Sequence, residues 1–304
     1  MQETALIVSY IVIAYMLFSS LSYLGLFALA FRKVKRETKL DKRESTEDFL
    51  RNQSTYPVSI LVPAYNEEVG VVSTVRSLLA LEYPEKEIIV IDDGSKDDTS
   101  LRMIEEFKMT KIPFAVRMHI ETAEIESIFQ SSIFPYIRLI KKANGGKADA
   151  LNAGINLSSF PYFCAIDGDS ILENDGLLKT MKPIIESDGQ IIVTGGSVRI
   201  ANGSTISRSK VEVIGLPRSP VVLMQIVEYF RAFLIGRLAL SHLNILLIVS
   251  GAFGVFNKER VIQAGGYNKN TVGEDMELVV RLHRLLREEK SKQRIEYIPD
   301  PVCW

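Results

Sequence analysis

The sequence predicts an α/β protein, a mostly parallel, Rossmann-like sheet flanked by helices, behind an N-terminal transmembrane helix. Three observations predict it. Residues 4–31 carry no charged side chain, a run longer than the roughly 20 apolar residues that cross a bilayer. From residue 57 onward, apolar runs of strand length alternate with stretches of helical spacing, the pattern of parallel strands joined by right-handed crossovers. Acidic residues stand where apolar runs end, which in open α/β sheets is the ligand crevice.

Composition sets the outer limits. The 304 residues are 47% hydrophobic and 24% charged, enough for a large core, and the net charge of −1 offers no basic field for nucleic acid. The two cysteines, Cys164 and Cys303, fit neither a disulfide framework nor a zinc spacing. His119, His242 and His283 lie far apart and are read as structural or surface residues.

At the N-terminus a secretory signal competes with a retained anchor. Glu3 stands where a signal peptide carries Lys or Arg, and the apolar run exceeds an ordinary signal core, so an uncleaved anchor is expected over 4–31. Arg32, Lys33, Lys35, Arg36, Lys39, Lys42 and Arg43 follow at once. Positive charge on that flank predicts a single pass with everything downstream cytoplasmic. Residues 32–56 read as a basic juxtamembrane linker, partly helical, and 57–304 as the soluble domain.

Within that domain Val58-Ser59-Ile60-Leu61-Val62 predicts a strand, residues 68–81 a helix with Val72, Val75, Leu78 and Leu79 on one face, and Glu87-Ile88-Ile89-Val90-Ile91 a second strand. A helix over 98–108 and a strand near 114–118 follow. Residues 121–143 are expected to form an irregular or helical insertion, 148–156 a helix, 161–166 a core strand and 190–198 another. Residues 221–249 are apolar but interrupted by Gln225, Glu228, Arg231 and Arg237, so an amphipathic helix against the core or the membrane interface is expected rather than a second span. A helix over 276–287 follows Gly273-Glu274-Asp275.

The chemistry-bearing motifs sit at the strand ends and helix starts of this plan. Asp167-Gly168-Asp169 closes the core strand. Two such carboxylates persist only beside positive charge, and Mg²⁺ or Mn²⁺ bearing a diphosphate is the natural partner, because hard cations take carboxylate and phosphate oxygens together. Gly273-Glu274-Asp275 supplies a further carboxylate able to act as a base. Asn144-Gly145-Gly146-Lys147 looks like a small phosphate loop, although it is not the G-x-x-x-x-G-K-[ST] motif of P-loop NTPases. Pro63-Ala64-Tyr65-Asn66-Glu67 offers a ring for stacking and an acceptor, and Asp92-Asp93-Gly94-Ser95 an acceptor for a base or ribose. Each also has a plainer reading, as a turn or as acids favoured at a helix start. Their order and placement raise them together, toward metal-assisted transfer from a nucleotide-linked donor.

That ordered set resembles the membrane-bound family 2 glycosyltransferases of GT-A fold, the branch holding the cellulose, hyaluronan and poly-N-acetylglucosamine synthases. The resemblance runs through P-A-Y-N-E at 63–67, D-D-G-S at 92–95, N-G-G-K-A-D-A-L-N at 144–152, D-G-D at 167–169, T-G-G-S-V-R-I-A-N-G at 194–203, S-G-A-F-G at 250–254 and G-E-D at 273–275. It implies that Tyr65, Glu67 and Asp93 hold the uridine of a UDP-linked sugar and that Lys147 approaches the diphosphate. Asp167 would contact the ribose or metal shell, Asp169 would ligate the metal and Asp275 would be the base. Gly273 replaces the Thr of the family's T-E-D element. The branch's Q-x-x-R-W element has no match, and the end at Pro301-Val302-Cys303-Trp304 reads as a cut within a longer protein.

The function expected is inverting transfer of a sugar to a growing polysaccharide or other glycan at the cytoplasmic face of the membrane. Two rivals are a polyprenyl-phosphate sugar transferase with a lipid-linked acceptor, and an inactive, truncated nucleotide-binding membrane module.

Overall fold

The structure, a computed structural model, describes residues 2–41, 55–114, 118–168, 170, 172–207, 210–251 and 253–303. Helix α1 (Gln2–Asp41) is a single 40-residue rod. It is long and apolar enough to cross a bilayer, and its apolar window is unburied. The helical part of the basic stretch is thus continuous with the apolar run, and residues 42–54 lie outside the described residues.

The domain begins with β1 (Val58–Ala64), α2 (Val71–Leu79), β2 (Lys86–Asp92), α3 (Thr99–Glu106) and β3 (Met109–Ile112). It continues through β4 (Ile125–Ser131), β5 (Ile137–Lys142), α4 (Lys147–Leu157), β6 (Tyr162–Ile166), α5 (Gly176–Glu186) and β7 (Ile191–Val198). A small hairpin of β8 (Thr205–Ser207) and β9 (Lys210–Val213) leads into α6 (Pro220–Tyr229), π-helical turns over Phe230–Arg237, and α7 (Leu238–His242). β10 (Phe253–Asn257), α8 (Lys258–Gln263), α9 (Glu274–Glu288) and β11 (Arg294–Cys303) complete it.

Nine strands form one mixed sheet in the order β11-β7-β10-β6-β1-β2-β5-β4-β3. The central run β6-β1-β2-β5 is parallel. β10 runs against both β6 and β7, and β4 against β3 and β5. Burial of both faces explains why these strands read as continuous apolar runs rather than alternating ones. Ile60, Ile88 and Val90 point to one core with α2 and α5, whereas Leu61, Ile89 and Ile91 point to the other with α4 and α9. Each fully buried side chain of this size contributes roughly 1.5–3 kcal/mol. Gly154 lets α4 lie close on the sheet, since a β-carbon there would meet Ile91 and Leu61 at 3.0 and 3.1 Å. In the second core Phe163 stacks on Phe256, with ring centres 5.4 Å apart. The foot of α1 joins that core through Ala30, beside Leu238 and Ala239 of α7, and Lys33 bridges to Glu296 at 3.1 Å.

Three stretches differ from expectation. Residues 121–143 are the antiparallel pair β4 and β5 rather than an irregular or helical insertion. Their Ile-Phe and Ile-Arg-Leu-Ile runs suit a pleated surface whose inner face is buried. The strand expected near 114–118 lies earlier, at Met109–Ile112, and residues 115–117 are outside the described set. Residues 221–249 start as the expected helix and then pass through π-helical turns, a rare conformation that clusters at functional sites. Cys164 and Cys303 are both buried, and burial pushes the Cys164 thiol far above its ordinary pKa.

Candidate active site

The parallel strands end on one edge, where the loops after β1, β2 and β6 and the start of α9 meet. Asp93 follows β2, with its N–H donated to Ala64 O of β1 at 2.9 Å. Its buried carboxylate accepts from Gly145 N at 3.0 Å, from Gly146 N at 2.7 Å and from Lys142 Nζ. A carboxylate has about four acceptor positions, so capacity remains beside these donors. The two glycine amides that a phosphate loop would offer are therefore committed to Asp93. Gly146 holds φ +86, a conformation that side chains with a β-carbon rarely adopt, and a β-carbon on Gly145 would stand 2.6 Å from the Asp149 carboxyl.

The loop Tyr65–Glu68 is laced to the turn after β2. Asn66, at φ +56, donates its N–H to Ser95 Oγ at 3.0 Å and accepts from Lys96 N at 2.9 Å. Glu67 N donates to Thr99 Oγ1 at 2.8 Å, while Tyr65 remains exposed with its ring available for stacking. Glu67 itself lies half-buried beside Gly168, whose carbonyl accepts from Thr74 Oγ1 of α2 at 2.5 Å.

Lys147, the first residue of α4, is the focus of the edge. Its Nζ lies 2.6 Å from Asp167 Oδ1 and 3.9 Å from Glu274 Oε1, and donates to Gly251 O at 3.3 Å. Asp275 stands against Gly251, where a β-carbon would come within 2.9 Å of its Oδ2. Burial pushes the Asp275 carboxyl up to about 6; Lys147 opposes the shift, and the charges of Glu274 and Asp167 reinforce it. Burial also weakens the Lys147 ammonium, but its bond to Asp167 and the surrounding carboxylates hold it above the ordinary lysine value. Three carboxylates thus share one ammonium, and the pocket is short of positive charge. Glu274 and Asp275, adjacent at the start of α9, both bear on Lys147, because it approaches the helix end where both residues stand.

The shortage of positive charge and the oxygen-only donors fit a hard divalent cation. No three Asp, Glu, His or Cys side chains form a ready cage among the described residues. That suits a cation completed by substrate phosphates, held by one or two carboxylates. Asp169, the expected direct ligand, lies outside the described residues.

Sequence reasoning missed the support beneath the site. Lys142, wholly buried at the end of β5, pairs with Asp93 and, at 2.8 Å, with Asp149. Asp149 accepts further from Ala123 N at 3.1 Å and pairs with Lys269 at 2.9 Å. Burial opposes its ionisation, yet the two lysines and the Ala123 amide hold its pKa below the ordinary carboxylate value. Asn152, one turn further along α4, clamps Tyr267 through both its N–H and its C=O. The signal available was the spacing of Lys147, Asp149 and Asn152 along one short helix. His283 binds Leu246 O at 2.8 Å, consistent with the structural role expected of it.

Comparison with known proteins bears on the family and the fold. Residues 59–229 match the family described as glycosyl transferase family 2. The poly-beta-1,6-N-acetyl-D-glucosamine synthase of Staphylococcus epidermidis is 30% identical over 255 residues, covering 83% of this chain and 50% of that protein. The Staphylococcus aureus (strain COL) synthase is 29% identical over 249 residues, covering 81% and 49%. The chain thus spans about half the length of these relatives. Among solved structures, a Pyrobaculum calidifontis mannosyltransferase in complex with GDP-Man and Mn²⁺ superposes with a TM-score of 0.55 at 16% identity, over 91% of this chain and 68% of that one. S. aureus TarS 1-349 in complex with UDP-GlcNAc gives 0.51 at 15%, over 81% and 57%. These two support the expected GT-A architecture. With the sheet, the acidic edge and a match spanning most of the domain in agreement, the chain belongs to glycosyl transferase family 2.

Proposed function

We propose that the chain is the catalytic part of a membrane-bound, inverting, metal-dependent polysaccharide synthase that draws on a UDP-linked sugar at the cytoplasmic face. The observation that carries this reading is the convergence of Asp167, Glu274 and the high-pKa Asp275 on Lys147 at the strand ends. The relatives' names point to N-acetylglucosamine as the sugar and its β-1,6-linked polymer as the product.

Tyr65 and Glu67 flank the place for the base, and Asp93 uses its remaining acceptor capacity there. Lys147 approaches the diphosphate, and Asp167 the ribose or the metal shell. Asp169 would hold a bound Mg²⁺ or Mn²⁺, which would supply positive charge for the leaving diphosphate. Asp275 takes the proton of the acceptor hydroxyl as its oxygen attacks the anomeric carbon. The bond from that carbon to the diphosphate breaks on the opposite face, releasing UDP and inverting the centre. Partial burial suits Asp275 to this work, since a base with a pKa near the working pH is most effective.

Titration calorimetry with UDP tests the site. Affinity is expected to fall sharply in EDTA and in Asp169→Ala, because a diphosphate meets uncompensated carboxylates without the cation. Equal affinity in all three conditions would remove the metal-assisted reading.

A further inference from the structure

The described structure contains an apolar cavity of about 100 Å³ that the sugar-transfer chemistry leaves unused. It lies beneath α6, between the end of β7 and the turn after β9. Val198, Ile200, Ile214, Leu216, Ile226 and Phe230 form most of its wall. β6 and β7 both run antiparallel to β10 and hence in the same direction. The cavity therefore opens beyond the same sheet edge that carries Asp167.

Among the described residues nothing covers its roof. α6 buries none of its residues, and its outward side chains Val221, Met224 and Val227 are 75, 72 and 65% exposed. Val213, Ile214 and Leu216 extend that surface across the neighbouring turn. Glu228 is the helix's one charged residue, and Arg231 pairs with it at 2.8 Å. The outward side also carries Gln225 and Glu228, and an exposed helix of this mixed but largely apolar character suits a lipid interface.

The position of this helix identifies the medium. Arg231 Nη1 donates to Tyr23 Oη of α1 at 3.0 Å, and the guanidinium lies 5.6 Å from that ring's centre. Tyr23 lies nine residues before Arg32, the first cation of the basic flank, a distance of about 13 Å along a helix. With α1 through the bilayer, the end of α6 stands near the boundary between the headgroups and the hydrocarbon chains.

We propose that this cavity binds the end of one acyl chain of a bilayer phospholipid, seating the glycosyltransferase domain on the membrane at its active-site edge. The inference rests on α1 being a membrane anchor. At about 100 Å³ the cavity is smaller than the roughly 150 Å³ site that admits benzene, so only the last few carbons of a chain enter it. The wall is mostly apolar, with Ser197, Arg199, Ser204 and Tyr229 also on it, and its six aliphatic and aromatic side chains suit the end of a chain.

The test uses the full chain in phospholipid nanodiscs containing a trace of phosphatidylglycerol with a diazirine at its acyl terminus. A parallel preparation carries a polyprenyl phosphate labelled at its far end. After illumination, adducts are mapped by tandem mass spectrometry. Phospholipid adducts are expected at Ile200 or Val198, inside the cavity, as well as on Met224 and Val227 outside it. Ile226→Trp, and independently Leu216→Trp, should reduce the inner adducts several-fold while leaving the outer ones and the thermal melt unchanged. Phospholipid adducts confined to α1 and the outer face would overturn the proposal, as would inner adducts that neither Trp variant reduces in a folded protein. Inner labelling by the polyprenyl probe alone would also overturn it. Absence of adducts everywhere, α1 included, would remove the membrane reading and this inference with it. Labelling of α1 without the cavity would remove the inference alone.

Discussion

At the scale of single residues, Asp275 is the proposed base and offers the sharpest separation of effects. Asp275→Asn keeps the side chain's size but cannot accept a proton, so turnover should fall about 10²- to 10⁴-fold while UDP-sugar affinity stays near wild type. Single-turnover kinetics beside calorimetry decide it, and wild-type turnover in the variant would reject the base assignment. The pH dependence follows from a carboxyl pushed up to about 6, with burial as the main cause. Turnover should decline as pH falls through that value. Stability runs the other way: the folded form binds this proton more tightly than the unfolded chain, so stability decreases as pH rises from the unfolded carboxyl value through about 6. In metal-free buffer at pH 7.5 Asp275→Asn should melt above wild type, with a gap that narrows as pH falls toward 4, on the order of the Asp pKa in unfolded chains. Melting curves at two pH values check the sign. The motifs holding Lys147, Asp167 and Asp275 were legible as short words in the sequence. Lys142 was not, because its partners Asp93 and Asp149 lie across a strand pair and a loop, and a lysine at a strand end reads as solvent-facing.

At the scale of elements, α4 ties the two halves of the site together. Through Asp149 it holds Lys142 and hence Asp93 on one side, and Lys269 of the segment leading to α9 on the other. Lys269→Met should therefore loosen the approach to Glu274 and Asp275 without disturbing Asp93. The expected result is a fall in kcat of up to about 10²-fold, the scale of a small misplacement, with KM for the donor little changed. An equal loss in donor affinity would show that the segment serves the nucleotide side instead. The alternation of strands and helices was legible because buried parallel strands and amphipathic helices leave different periods. β4 and β5 were not, since mixed strands such as Ile125–Ser131 and Ile137–Lys142 take their pairing from partners the local sequence does not name.

At the scale of the whole molecule, the proposed topology places the domain inside the cell behind one helix. Protease added to intact cells should leave the domain uncut, and high salt should not release it. Cleavage from outside would reverse the orientation. The uncharged run announced the helix, but its attachment to the domain, through Ala30, Lys33 and Tyr23, was legible only in three dimensions. That attachment has a mechanical consequence. Tyr23 and Lys33 grip the domain ten residues apart on one unbroken rod, a span of about 15 Å. Two grips on a rod transmit rotation, whereas one grip is a swivel. A thinner bilayer tilts a helix whose hydrophobic stretch exceeds it, and here the sugar-transfer edge must tilt with the rod. The chain would then act as a lever reading membrane thickness, with turnover differing between short-chain and long-chain lipid vesicles and that difference shrinking when Arg231→Gln and Lys33→Gln remove the two polar grips and leave only the apolar contact at Ala30.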